Sequence, residues 1–231
     1  MLILAIDTAL DACSVAVLDT EAGELLAQEQ LLMKRGHAEA LMPMIARVMQ
    51  SASLAFASLD RIAVTVGPGS FTGLRVGISA ARGLALAAER PAIGLTTLSA
   101  YAAAIVGQSK SAPVISAIDA RHDHVYFQIV AGDGSQLVRP KVASIDEAIA
   151  ASQFGAPHLV GNAAGILAER WPKDIPQPVA VDAQAAPDIS WVAWLGAAAN
   201  PDTTPARPFY LKAPDAKPPA QPPFAAQAAT S

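Results

Sequence analysis

Two stretches of this chain are built to one pattern. Residues 2–19 read LILAIDTALDACSVAVLD and residues 113–130 read PVISAIDARHDHVYFQIV. In each, an apolar run ends in Ala-Ile-Asp, a short polar turn follows, and a second apolar run begins. This rhythm marks two strands joined by a tight turn. Its recurrence, flanking pattern included, marks an internal duplication. The expected architecture is two related lobes, each opening with a β-hairpin or meander.

The remaining periodicities fill in the lobes. LLAQEQLL extends the first hairpin to a three-stranded meander. From His37 to Met49 the period changes, and Leu41, Met44, Ile45, Val48 and Met49 form the apolar stripe of a helix, with Pro43 inside it predicted to kink it. RIAVTV then reads as a buried strand, Ser70 to Ala88 as a helix, AIGLTT as a strand and Leu98 to Val106 as a helix. Strands alternating with helices after a meander give the α/β class. The second copy is shorter: after its hairpin come SIDEAIAAS, HLVGN and a short helix near Ala163 to Arg170. The organisation implied is a first lobe over 1–108, a shortened second lobe over 109–188, a C-terminal helix and return segment over 189–211, and a flexible Pro/Ala-rich tail over 212–231.

Composition narrows the function. With 16 Lys plus Arg against 20 Asp plus Glu, the formal charge of −4 gives no broad electrostatic footprint for a polyanion. The single cysteine, Cys13, lies in an apolar strand, which excludes a disulfide framework and reads as a small buried residue. No apolar run approaches the ~20 residues that span a bilayer, and no basic segment precedes the apolar start. The expectation is a cytoplasmic protein without membrane contact.

The stretch VTVGPGSFTGLRVGISAARGLAL poses the functional question, because a strand passes through Gly67-Pro68-Gly69-Ser70 into a helix. A Walker A loop needs glycine, lysine and a hydroxyl residue in succession where this chain has Thr72, Gly73 and Leu74, and the dinucleotide pattern fails at Thr72 as well. Ser70 is not in a nucleophile elbow either. Two readings stay open. Ser70 or Thr72 caps a helix whose free N–H groups meet an anion, with Arg75 as the nearby cation, or the turn only packs Gly67, Gly69 and Gly73 closely. For Gly69 and Gly73 the expected demand is backbone geometry, with Gly69 at positive φ.

Asp7 ends the first strand and Asp119 ends its copy. If the lobes face one another, both carboxylates project into one cleft, as paired carboxylates do when they hold a metal and phosphates; equally, each simply starts a turn. His37 opens the first long helix, but the position one turn on is Leu41, so a two-histidine metal site on that helix is not formed. His122 and His124 alternate along a β-run and share a face, and they read as solvated loop residues, since no further ligand is evident.

Together, ILAIDTALDACSVAVLD, GHAEALMPMI, AVTVGPGSFTGLRVGISAARGLALA, PAIGLTTLSA and RPFYLKAPDAK resemble the TsaB (YeaZ-type) family of bacteria, from Leu2 to about Lys217. The resemblance implies an actin-like ASKHA fold of two related lobes, the second shortened. It also implies a role in making threonylcarbamoyladenosine at position 37 of tRNAs that read codons beginning with A. In that pathway TsaD carries the metal and the substrate adenylate, TsaE is the ATPase, and TsaB is TsaD's non-catalytic dimer partner, with no cofactor of its own. TsaD's metal motif is His-x-x-x-His, and His37 and Leu41 occupy the matching positions. After Asp7 and Thr8 the family usually has small hydroxyl residues, whereas this chain has Ala9 and Leu10, which removes donors a nucleotide phosphate would use.

A chain with this resemblance is expected to be a scaffold that meets tRNA through the complex and is able to pair with itself in isolation. The expected partner surface comprises His37, Leu41, Met44, Ile45 and Val48 on one helix and Phe71, Leu74 and Ile78 on the next, with the apolar stripe partly exposed in the monomer. Asp7, Thr8 and Asp119 would mark a vestigial nucleotide cleft. The competing reading is an active ASKHA-type phosphotransferase or a metallopeptidase-like enzyme, which would need the metal pair or phosphate loop not found here.

Overall fold

The computed structural model describes residues 1–108 and 112–212. Strands β1 (Leu2–Asp7), β2 (Ala12–Asp19) and β3 (Glu24–Leu32) form the antiparallel meander. Helix α1 (His37–Ser51) leads to β4 (Arg61–Gly67), which pairs parallel with β1. Helix α2 (Phe71–Ala88) leads to β5 (Ala92–Thr96), parallel with β4, and α3 (Thr97–Ala103) follows. The first sheet has the order β3-β2-β1-β4-β5.

The second half repeats this plan. β6 (Val114–Arg121), β7 (His124–Val130) and β8 (Gln136–Ser144) form another meander. α4 (Ile145–Ala150), β9 (His158–Val160), α5 (Ala164–Glu169) and β10 (Ala180–Asp182) follow, and β9 lies parallel to β6 and β10 to β9. From its meander edge, the sheet runs β8-β7-β6-β9-β10, matching the first strand for strand. This doubled order is the actin-like architecture expected from the duplication. The copy is shortened in its helices: α4 and α5 have 6 residues each, against 15 in α1 and 18 in α2.

Strand alternation explains the layers. Leu4, Ile6, Val15, Val17, Ile62 and Val64 join the core with α1 and α2. The intervening Ile3, Ala5, Ala16, Leu18 and Ala63 pack with a last helix, α6 (Ile189–Ala198). A sheet covered on both faces needs strands that are apolar at nearly every position, and β1, β2 and β4 are buried almost throughout. Gly196 allows α6 this approach, because a Cβ there would collide with that of Ala63. Arg61 holds the helix end, its Nη1 donating to the carbonyls of Gly196 (3.1 Å), Ala197 (2.9 Å) and Ala199 (2.7 Å).

Helix α1 continues through Pro43 as one element. Its apolar stripe is not left for a partner. Leu41, Met44, Ile45 and Val48 are at most 2% exposed, packed into the core with β2 and α2, and Leu74 and Ile78 of α2 are buried with them. The expectation of a partly exposed stripe is thus corrected: the monomer's own sheet covers it. Cys13 is buried too, and burial, with the Asp7 and Glu29 carboxylates, pushes its thiol up to about 11. Among the described residues no helix is long and apolar enough to cross a membrane. The tail beyond Lys212 lies outside the described residues.

Candidate functional site

The turn before α2 is clasped from two sides. On one side is the tip of the β1–β2 hairpin. Ser70 N donates to the Ala9 carbonyl (2.7 Å), and the Thr8 hydroxyl donates to the Gly73 carbonyl (2.7 Å). A Cβ on Gly69 would strike the Ala9 carbonyl oxygen, and one on Gly73 that of Thr8. On the other side runs the return segment, where Phe209 N donates to the Val66 carbonyl at 2.8 Å and the Phe209 carbonyl lies against Gly67.

The demand on glycine differs from the one expected. Gly67 has a left-handed backbone, φ 115°, whereas Gly69 has no positive φ; Gly69 and Gly73 are required for close approach. Ser70 is the helix cap, its hydroxyl accepting from Gly73 N at 3.3 Å. Thr72 is exposed.

Asp7 and Asp119 are not brought together. Asp7 is completely buried, its Oδ1 accepting from Ala9 N (3.0 Å) and the Thr65 hydroxyl (2.5 Å) and its Oδ2 without a partner. Burial pushes its carboxyl above the ordinary 3.8, opposed by the Thr65 and Ala9 hydrogen bonds and the His37 ring. Asp119 is exposed, its Oδ1 accepting from Arg121 N at 2.7 Å. The repeats diverge here because long α1 and α2 roof over the first hairpin, while the short helices of the second lobe leave its hairpin open. Asp119 lines an interlobe cleft of about 360 Å³ with Ala9, Gly69, Ser70, Arg121 and Lys212. Thr8 is buried behind that cleft.

His37 is committed to the fold, its Nε2 lying 3.0 Å from the Leu10 carbonyl. Leu41, one turn on, points into the apolar core. His122 and His124 do not alternate on one strand, since β6 ends at Arg121 and His122 sits in the turn with Asp123, both with left-handed backbones. A two-residue hairpin turn of this kind requires positive φ at both positions.

At the start of α2 the side chains face outward. Phe71 is 50% exposed, with the Arg75 guanidinium 3.8 Å above its ring and Tyr210 stacked on it at 5.8 Å between centroids. Thr65, Phe209 and Tyr210 are not among the site residues expected from sequence. RPFYLK carries the signal for the last two, and a threonine inside the buried strand AVTV carries it for the first.

A family model described as TsaD, tRNA N6-adenosine threonylcarbamoyltransferase, matches residues 26–192. The tRNA threonylcarbamoyladenosine biosynthesis protein TsaB of Haemophilus influenzae is 41% identical over 142 residues, 62% of this chain and 56% of that protein. Its namesake from Escherichia coli is 41% identical over 127 residues, 55% of this chain and 54% of that protein. The chain thus spans just over half the length of either relative. The solved structure of YeaZ from Pseudomonas aeruginosa superposes with a TM-score of 0.75 at 30% identity, covering 91% of this chain and 99% of that one. A likeness that runs through nearly the whole of the YeaZ structure, and through both lobes of the duplicated fold, means that this chain belongs to the TsaB (YeaZ-type) family.

Proposed function

We propose that the chain is a non-catalytic partner of a TsaD-type protein in forming threonylcarbamoyladenosine at position 37 of tRNAs that read codons beginning with A. The observation that carries this reading is the filling of the turn before α2. Ala9 and Thr8 place their own carbonyl oxygens against Ser70 N, Gly69 and Gly73. A phosphate would have to displace those oxygens and would meet them as negative dipoles, so the turn serves as a packing joint. Asp7, enclosed behind the hairpin, has no path to a ligand in the cleft. On this reading the chain has no cofactor of its own; metal and adenylate belong to the TsaD-type partner, ATP to a TsaE-type protein, and tRNA is met through the assembly.

The surface offered to the partner is the outward side of the same two helices, with residues other than the buried stripe. Met42, Pro43 and Ala46 of α1 are exposed, and so, wholly or in part, are Val76, Ala80 and Gly83 of α2. Interface centres are depleted in charge, and small side chains on α2 let a partner backbone come close.

The test pairs a cell with a tube. Removing the gene should abolish the modified nucleoside in tRNA digests, and the purified chain alone should transfer nothing from threonylcarbamoyl-adenylate to tRNA. Transfer by the isolated chain, or unaltered modification in its absence, overturns the proposal.

A further inference from the structure

The exposed ring stack at the start of α2 has no part in the fold's core or in the helix face just described. Phe71 and Tyr210 are far apart in sequence and meet in space, and each keeps about half its surface in solvent, 50% and 48%. They lie 5.8 Å apart at 29° between planes. The Arg75 guanidinium carbon lies 3.8 Å from the centroid of the Phe71 ring, and that guanidinium donates no hydrogen bond and joins no ion pair among the described residues. We infer that Phe71, Tyr210 and Arg75 form a stacking platform for an unpaired base of single-stranded RNA, with Arg75 directing its free donors to the adjoining phosphate.

The chemistry favours RNA over a protein. Unpaired bases stack on exposed aromatic rings and on guanidinium planes, and arginine combines a flat stacking face with donors in the fork geometry that suits phosphate. The immediate surroundings are polar: Ser70 and Thr72 are exposed beside the platform, and the cleft that begins at Ser70 adds Arg121 and Lys212, offset by Asp11 and Asp119. The overall charge of −4 also fits a site that binds by stacking, with few phosphate contacts and therefore a shallow salt dependence.

This inference rests on the proposed function only for which RNA is met, and it deepens that reading by giving the chain its own contact with the substrate. The test uses the full chain and fluorescence anisotropy with two probes: a short RNA hairpin carrying an unpaired purine-containing loop, and a duplex of equal length without unpaired bases. The looped RNA should bind better. Tyr210→Ala and Tyr210→Leu should weaken it by about 5- to 150-fold, the range for one stacked base, while Tyr210→Phe retains binding. Arg75→Ala should flatten the salt dependence by about 0.7 in log–log slope, the contribution of one phosphate on a single strand. Thermal melts of the Tyr210 variants matching the parent exclude unfolding as the cause.

Equal affinity for both probes, affinity for neither, or a Tyr210→Leu chain that binds as the parent does overturns the inference. So does a Tyr210→Leu chain that loses a TsaD-type partner and keeps its RNA. RNA binding indifferent to Tyr210, in a strain whose tRNA modification still requires the chain, sinks the platform and leaves the proposed function standing. A Tyr210-dependent RNA affinity in a chain whose deletion leaves the modification intact does the reverse.

Discussion

The Thr8 hydroxyl donates to the carbonyl of Gly73 at 2.7 Å, joining the tip of the first hairpin to the first turn of α2 across 65 positions of sequence. Both groups are buried, so loss of the donor leaves an acceptor without water. Thr8→Val, similar in shape, should lower the unfolding free energy by about 1 kcal/mol. Gly73→Ala should cost more, about 1–3 kcal/mol, because its Cβ meets the Thr8 carbonyl oxygen, a backbone atom that cannot swing aside. Urea denaturation measures both, and a Gly73→Ala chain as stable as its parent would mean the joint is loose.

Asp7 makes stability depend on pH in an unusual direction for a carboxylate. Its folded pKa lies above the ordinary 3.8, chiefly through burial. The stabilisation is therefore complete below that ordinary value and is lost as pH rises through the raised one. Asp7→Asn keeps an oxygen for Ala9 N and the Thr65 hydroxyl but cannot ionise. The stability of the variant minus that of the parent should grow from acid toward neutral pH, as read from melting temperatures across the range. A difference that shrinks with rising pH would contradict the assignment.

Charge placed on α1 and α2 should separate folding from association. Met44→Glu buries a carboxylate in an apolar core and should cost several kcal/mol, enough to unfold a domain of ordinary stability. Gly83→Glu and Met42→Glu lie outward, a Cβ at Gly83 meeting nothing, and should not lower the melting temperature while abolishing co-purification with a TsaD-type partner. Should Gly83→Glu and Met42→Glu both bind the partner normally, the contact lies elsewhere.

Arg61 is the clamp on α6. Three carbonyls at the C-terminal end of that helix converge on one guanidinium nitrogen, where the helix dipole also favours a cation. Arg61→Ala should destabilise by about 1.5–3 kcal/mol, the range for hydrogen bonds to a charged group. Trp191 and Trp194 on α6 report locally, so their emission should shift to the red at denaturant concentrations below the main transition. Coincident transitions in parent and variant would refute the clamp.

Much of the architecture is legible because the duplication writes each meander twice, and alternation along β1, β2 and β4 is strong. Periodicity reveals that α1 has a covered face but not what covers it, so Leu41, Met44, Ile45 and Val48 look like a partner surface when β2 and α2 already pack against them. Asp7 and Asp119 look alike in sequence; the lengths of the helices above them, a property of distant residues, bury one and expose the other. Spacing likewise puts His122 on a strand, although the turn takes it. Gly69 does carry a demand on glycine, but contact with Ala9, invisible in local sequence, supplies the demand instead of a dihedral angle.

The order in which the chain is synthesised gives the position of α6 a further meaning. All five strands of the first sheet have been made by Thr96, and α1 and α2 are present to cover one side. The other side, with Ile3, Ala5, Ala16 and Ala63, waits for Ile189, Val192 and Ala193, after the whole second lobe has been translated. About a hundred residues at ~5–20 per second leave that surface with only Ala100 of α3 against it for roughly 5–20 s on the ribosome. A nascent first lobe is thus an oily half-sandwich for many times longer than a small domain needs to fold, and it closes only when α6 emerges and docks.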